Sequence, residues 1–193
     1  MRRPSEEKGM QIDSQHWLTG IRRAPSPHQD DRPPGQEPTL IVLHGISLPP
    51  GKFGTGLIDR FFAGCLPDDI ADDLELTGVR VSSHLTIDRR GACTQHVPFD
   101  RRAWHAGVSC WEGRPNCNDY AIGIELEGTD TRPYTDAQYR ALAELTRLLV
   151  ERYSRISREA IVGHNEVAPG RKTDPGPSFD WHRYLTSLQR RIG

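Results

Sequence analysis

The sequence predicts an α/β (α+β) fold in which one mixed central β-sheet is flanked by helices. Short apolar runs rich in β-formers stand at 39–44 (TLIVLH), 120–128 (YAIGIELEG) and 161–164 (IVGH), the length of buried strands rather than of helices. Residues 135–153 (TDAQYRALAELTRLLVERY) instead repeat apolar residues at helical spacing. Strands in the middle of the chain with helices around them call for helices packed on a sheet.

Each element follows from local chemistry. The segment through Gln36 carries Pro4, Pro25, Pro27, Pro33 and Pro34 among many charges. It reads as a polar, Pro-rich lead-in spanning 1–36, ahead of a single domain over 37–193. Its first nine residues show no pattern of their own, so Met10 is an alternative start. TLIVLH is the first buried strand, and GTGLIDRFFAG (54–64) reads as a short helix. RVSSHLTIDRRGACTQHVPF (80–99) predicts two strands joined at Asp88-Arg89-Arg90-Gly91, with glycine where positive φ is tolerated. In the 135–153 helix, Thr135 and Gln138 fit a capping box, and Ala141, Leu142, Leu145, Leu148, Leu149 and Tyr153 form one stripe. IVGH is a brief strand, and WHRYLTSLQRRI (181–192) predicts a closing helix.

Composition excludes several function classes. A chain of 193 residues is large enough to bury one core. The aliphatic run LIVL (40–43) is far short of a membrane span of about 20 residues, and no apolar stretch follows Arg2 and Arg3. Neither membrane insertion nor a secretory signal is expected, and a cytoplasmic address is. A net charge of −1 offers no basic stripe for nucleic acid. Cys65, Cys93, Cys110 and Cys117 form no C-x-x-C pair, so neither disulfides nor a thiolate zinc site is expected.

The chemistry is narrowed by what fails. His44-Gly45 after a strand resembles a hydrolase oxyanion loop, but no G-x-S-x-G elbow follows: Trp111 stands where Gly107-Val108-Ser109 would need its second glycine. His164-Asn165-Glu166 fits the H-x-E of zinc deaminases, yet every cysteine lies upstream of it. GKFGTG (51–56) lacks the ending of a phosphate loop.

Among eight histidines, His16, His28, His96 and His182 read as surface or core residues. His44 and His164 differ, since each closes an apolar run at a strand-to-loop edge, where sheet proteins present site residues. Hydrolytic zinc needs a third protein ligand and one open position. Asp174 lies ten residues past His164, in a Pro- and Gly-rich stretch that lets the chain double back. On spacing alone, Asp174 fits equally well as a loop residue capping the helix at Trp181. Along 120–128, Ile122, Ile124 and Leu126 point one way, and Ala121, Gly123, Glu125 and Glu127 the other. Glu125 therefore needs a partner or a task, unless that sheet face is solvated; Gly123 beside it leaves space for a ligand. A carboxylate close to an acidified water would act as a general base.

Together, TLIVLHGISLPPG, RVSSHLTI, AWHAG, NDYAIGIELEGTD and GHNEVAPGRKTDPGPSFDW resemble the zinc-dependent N-acetylmuramoyl-L-alanine amidases. The nearest resemblance is to the cytosolic branch that recycles peptidoglycan by acting on 1,6-anhydro-muropeptides. The resemblance spans Trp17 to Tyr184 and implies a peptidoglycan-recognition-protein-like sheet. It implies one Zn2+ per chain on His44, His164 and Asp174, with Glu125 as catalytic carboxylate and Lys172 stabilising an oxyanion. It leaves Glu127 without a catalytic role. On the same footing Arg80 is a partner for a stem-peptide carboxylate, and Trp104 and His105 line the sugar side, Trp104 being equally suited to the core. The implied partner is an anhydro-muropeptide, with no nucleic acid, membrane or obligate protein partner. Gly45 departs from the Asn, and Asn116 from the Arg, that close relatives of the recycling type carry; both departures bear on substrate binding. A non-catalytic muropeptide-binding module and an amidase acting on intact wall are the alternatives.

Overall fold

The computed structural model describes residues 10–189. Its strands are β1 (Arg22–Arg23), β2 (Gln29–Asp31), β3 (Leu40–Ile46), β4 (Leu85–Ile87), β5 (Cys93–Gln95), β6 (Arg101–Ala103), β7 (Cys110–Trp111), β8 (Arg114–Pro115), β9 (Ala121–Glu127) and β10 (Ile161–Gly163). The helices are α1 (Leu57–Phe62), α2 (Asp68–Asp73), α3 (Asp136–Arg152), α4 (His164–Val167) and α5 (Trp181–Gln189), with a 3-10 turn at Cys117–Asp119. The predicted closing helix begins where expected, and its last residues lie outside the described ones. Among the described residues no helix is long and apolar enough to cross a membrane.

Six strands form one mixed sheet in the order β1-β5-β4-β9-β3-β10. The long central strands β9 and β3 are parallel, as are β3 with β10 and β4 with β9, whereas β4 and β5 form the predicted antiparallel hairpin. Its turn is held by Asp88, whose carboxylate accepts the backbone N–H groups of Arg90 and Ala92. Gly91 sits there at φ +83°, and a Cβ on it would come within 2.7 Å of the Ala137 carbonyl. Positive φ and close approach thus both require glycine.

The period-two alternation divides the sheet into two chemically different faces. Ile41, Leu43, Ile122, Ile124 and Leu126 pack with Leu142, Leu145 and Leu149 of α3 and Tyr184 of α5 in the main core. Thr135 and Gln138 complete the predicted capping box at the start of α3. The opposite face carries Leu40, Val42 and Ala121 in a smaller cluster, and it also carries His44 and Glu125. That second face is covered by α4 and by the chain from 97 to 120, which leaves the site between irregular segments and a rigid sheet.

The Pro-rich lead-in packs onto this body from residue 10 onward. Arg22 and Arg23 add a parallel edge strand beside β5. Arg32 is buried, and its guanidinium donates to the carbonyls of Phe99, Asn118, Asp119 and Ala121. Burial lowers its pKa to about 10, still far above neutrality. Carbonyl dipoles, rather than a hydrogen-bonded carboxylate, solvate this charge.

Candidate metal centre and catalytic face

His44 lies within β3, two residues before the strand ends at Ile46, and so does not close that run as the sequence suggested. It is paired directly with Glu125 across β9, and Thr86 of β4 flanks Glu125 on the far side. β10 runs parallel to β3 with Gly163 opposite Leu43, so the next residue, His164, arrives at the level of His44. His164 does not end the strand as the sequence suggested: it opens α4, where the Glu166 carboxylate accepts the N–H of Gly163. Glu166 is thereby spent on a helix start and not on chemistry. The chain then turns back, and the Asn165 N–H donates to the Asp174 carbonyl at 3.0 Å.

This return brings three donor atoms together. His44 Nδ1 and His164 Nδ1 are 2.9 Å apart, and Asp174 Oδ2 is 3.2 Å from the first and 3.1 Å from the second. Two neutral imidazoles and a carboxylate about 2.0–2.1 Å from one tetrahedral zinc would lie roughly 3.3 Å apart. The donors fit such an ion in type, number and mutual spacing, and they are the described residues' one cluster able to hold a metal. Of the two readings the spacing left open for Asp174, its contacts support a ligand, because the start of α5 is held by Asp180, which accepts the Arg183 N–H.

The protonation states suit the same purpose. Burial is the main cause that lowers His44 to about 4, against the opposing pull of Asp174, so the ring is neutral near pH 7. Burial acts to raise Asp174, yet hydrogen bonding by His164 and then His44 holds its carboxyl well below the usual range. Glu125 behaves oppositely. Burial and then the Asp174 charge push it well above its usual value, while Lys172 pulls it down. Its carboxylate is 3.9 Å from His44 Nδ1. Lys172 is exposed on the return loop, its backbone N–H bonded to the Ala168 carbonyl. The result is an ionised ligand next to a carboxyl group with high proton affinity, which is the asymmetry acid–base work requires.

Other residues singled out in the sequence fall in different places. Arg80 is exposed and borders a hollow of ≈ 450 Å³ with His28, Leu66 and Asp68. Trp104 stacks on that same His28 with ring centroids 5.9 Å apart. His105 is buried with Nδ1 2.9 Å from His44 Nε2, on the side of that ring away from the three donors. Gly123 does not leave room for a ligand, since a Cβ there would meet His105 Cγ at 2.5 Å. Gly45 donates its N–H toward Asp174 Oδ2 at 3.4 Å. Asn116 is exposed at φ +58° ahead of the 3-10 turn.

Glu127 is an anchor: its carboxylate accepts the N–H groups of Gly54 and Arg89, tying the loop before α1 to β9. It also borders a cleft of ≈ 340 Å³ shared with Ile46, Thr86 and Arg90. That cleft adjoins the catalytic face through Thr86 but does not include the three donors. Sequence reasoning missed Tyr134, whose hydroxyl donates to the Pro175 carbonyl and braces the residue after Asp174. It also missed Asn118, whose side chain holds the segment carrying His105. Neither belongs to an apolar period, and an isolated polar residue gives no sign of which backbone it will hold.

The sequence pattern of the family described as N-acetylmuramoyl-L-alanine amidase matches residues 34–177. The chain is 56% identical over 177 residues to the 1,6-anhydro-N-acetylmuramyl-L-alanine amidase AmpD of Escherichia coli (strain K12), covering 91% of this chain and 96% of that protein. It is 51% identical to the protein of that name from Haemophilus influenzae, over 89% of this chain and 94% of the relative. Among solved structures, a selenomethionine AmpD derivative superposes with a TM-score of 0.89 at 52% identity, covering 93% of this chain and 99% of the other. AmpDh3 from Pseudomonas aeruginosa in complex with an anhydromuramic pentapeptide superposes at 0.59 and 28% identity, over 80% of this chain and 61% of that one.

Proposed function

The chain belongs to the N-acetylmuramoyl-L-alanine amidase family, and on that premise we propose that it is a zinc-dependent amidase of muropeptide recycling in the cytoplasm. Its substrate is a 1,6-anhydro-muropeptide, and the bond cut is the amide between the lactyl group of the muramic acid and L-Ala of the stem peptide. The observation that carries this reading is the convergence of His44 Nδ1, His164 Nδ1 and Asp174 Oδ2 beside a buried Glu125.

His44, His164 and Asp174 would hold the zinc ion. When bound, the ion supplies Lewis acidity, drawing electron density from water and from an amide carbonyl. Glu125 takes a proton from the attacking water as the new C–O bond forms. It returns that proton to the L-Ala nitrogen as the C–N bond breaks, leaving a lactyl carboxylic acid and a free amine. Lys172 offers its ammonium to the oxygen that gains negative charge. Buried walls under His44 and Glu125 keep bulk water from levelling these effects. Arg80 and Trp104 are the proposed contacts for the distal parts of the substrate.

Two substitutions test the assignment. Lys172→Ala is expected to lower kcat by about 100 to 1000-fold, the usual effect of losing one oxyanion donor, with zinc content unchanged. Glu125→Gln is expected to retain zinc and lose nearly all turnover. Normal cleavage by the glutamine variant would require a different base. The binding-only alternative is disfavoured by the presence of all three metal donors. Comparing rates on free anhydro-muropeptide and on whole sacculi separates a recycling enzyme from a wall-lysing one.

A further inference from the structure

Each imidazole of the metal centre has a second nitrogen, and both of these point at consecutive residues of one segment. His44 Nε2 is 2.9 Å from His105 Nδ1, and His164 Nε2 is 3.2 Å from the Ala106 carbonyl oxygen. We propose that the Ala103–Gly107 segment is the outer support of the metal centre, with His105 fixing the tautomer and orientation of His44 and the Ala106 carbonyl fixing those of His164. The inference rests on the zinc reading above and adds positioning residues to it.

A neutral imidazole carries one N–H, and a nitrogen that ligates a metal must be bare. With Nδ1 of both rings given to the metal, each Nε2 would carry the proton and need an acceptor. For His164 the acceptor is a carbonyl, which serves without any choice of tautomer. For His44 it is the Nδ1 of a second histidine, so His105 in turn must carry its own proton on Nε2. That Nε2 has no hydrogen-bond partner among the described residues. An aliphatic side chain would fill the same space without leaving a buried polar nitrogen there, so packing alone does not account for a histidine at this position.

The segment is built to hold this arrangement. Asn118 Oδ1 accepts the backbone N–H groups of both His105 and Ala106, at 3.1 and 2.8 Å. Arg171 donates to the carbonyls of Ala106 and Val108, tying the segment to the return loop that bears Lys172 and Asp174. Gly123 gives the His105 ring its seat, since a Cβ there would overlap the ring. Partners of this kind typically change metal affinity by about 10–100-fold when removed.

A shape-matched pair of variants tests the idea. Asn and Leu share one branching pattern, but only Asn places an acceptor near the position of Nδ1. Zinc dissociation constants would be measured by competition with a chelating dye for the unchanged protein, His105→Asn and His105→Leu. The expected result is about 10–100-fold weaker binding for His105→Leu and near-original binding for His105→Asn. The absorption spectrum of the cobalt-substituted protein should likewise shift in the leucine variant alone. Equal affinities in the two variants would overturn the proposal. Should either variant fail to fold, nitrogen-15 NMR of the zinc-loaded unchanged protein decides. A proton on His44 Nε2 and a bare His105 Nδ1 support the proposal, and the reverse overturns it. Failure of the unchanged protein to bind zinc would instead overturn the zinc reading itself.

Discussion

At residue 123 the side chain that is missing matters as much as those present around it. A methyl group there would meet the His105 ring at 2.5 Å, and His105 bears directly on His44. Gly123→Ala is therefore expected to destabilise the fold by about 1–3 kcal/mol through overpacking. It should also weaken zinc binding, measured by thermal unfolding and dye competition; wild-type zinc affinity in that variant would contradict the coupling. Glu125 carries a second prediction. Its folded pKa is raised, so between its ordinary value near 4.5 and the raised one the native state binds a proton that the unfolded chain does not. Stability of the zinc-free protein should fall as pH rises through that window, and Glu125→Gln should flatten the fall. Unchanged pH dependence in that variant would place the titration elsewhere. Of the candidate site, the alternation that turns Glu125 away from Ile122, Ile124 and Leu126 was legible, whereas His44 and His164 do not close their strands as expected and the approach of Asp174 was left open by its spacing. Gly123 and His105 were misjudged for one shared reason: a sequence shows that a glycine leaves space but not which ring fills it.

Among the elements, those with a strong period or a specific end signal were legible. β3, β9 and α3 match the expected runs, and the capping box of Thr135 and Gln138 forms as read. The short strands β1, β2, β6, β7 and β8 carry two or three residues each, too few for any period to register. What orders the segments around them is side-chain chemistry of a kind that composition obscures. Arg32 looked like one charge in a polar lead-in, yet it is buried and bonds four carbonyls, two of them at Asn118 and Asp119 beside the segment that supports the metal centre. Arg32→Met should cost roughly 2–5 kcal/mol in denaturant unfolding, because several buried acceptors lose their donor together. A loss no larger than that of an exposed arginine would show that the carbonyl cage is not a structural element.

For the whole molecule, the strand order decides that a site exists. Parallel β9, β3 and β10 place Glu125, His44 and the start of α4 side by side, and the main core on the opposite face keeps those strands rigid. That order was not legible, since local pattern identifies strands but not which long-range neighbour each one takes. The most direct test of the account follows the substrate itself. The purified protein would be incubated with an anhydro-muramyl tripeptide, and the products identified by mass spectrometry, before chelation, after it, and after zinc is returned. The account predicts two products, an anhydro-muramic acid with a free lactyl carboxylate and a peptide with a free L-Ala amine, absent after chelation and restored by zinc. Cleavage that survives complete removal of metal, or cleavage at any other bond, would contradict it.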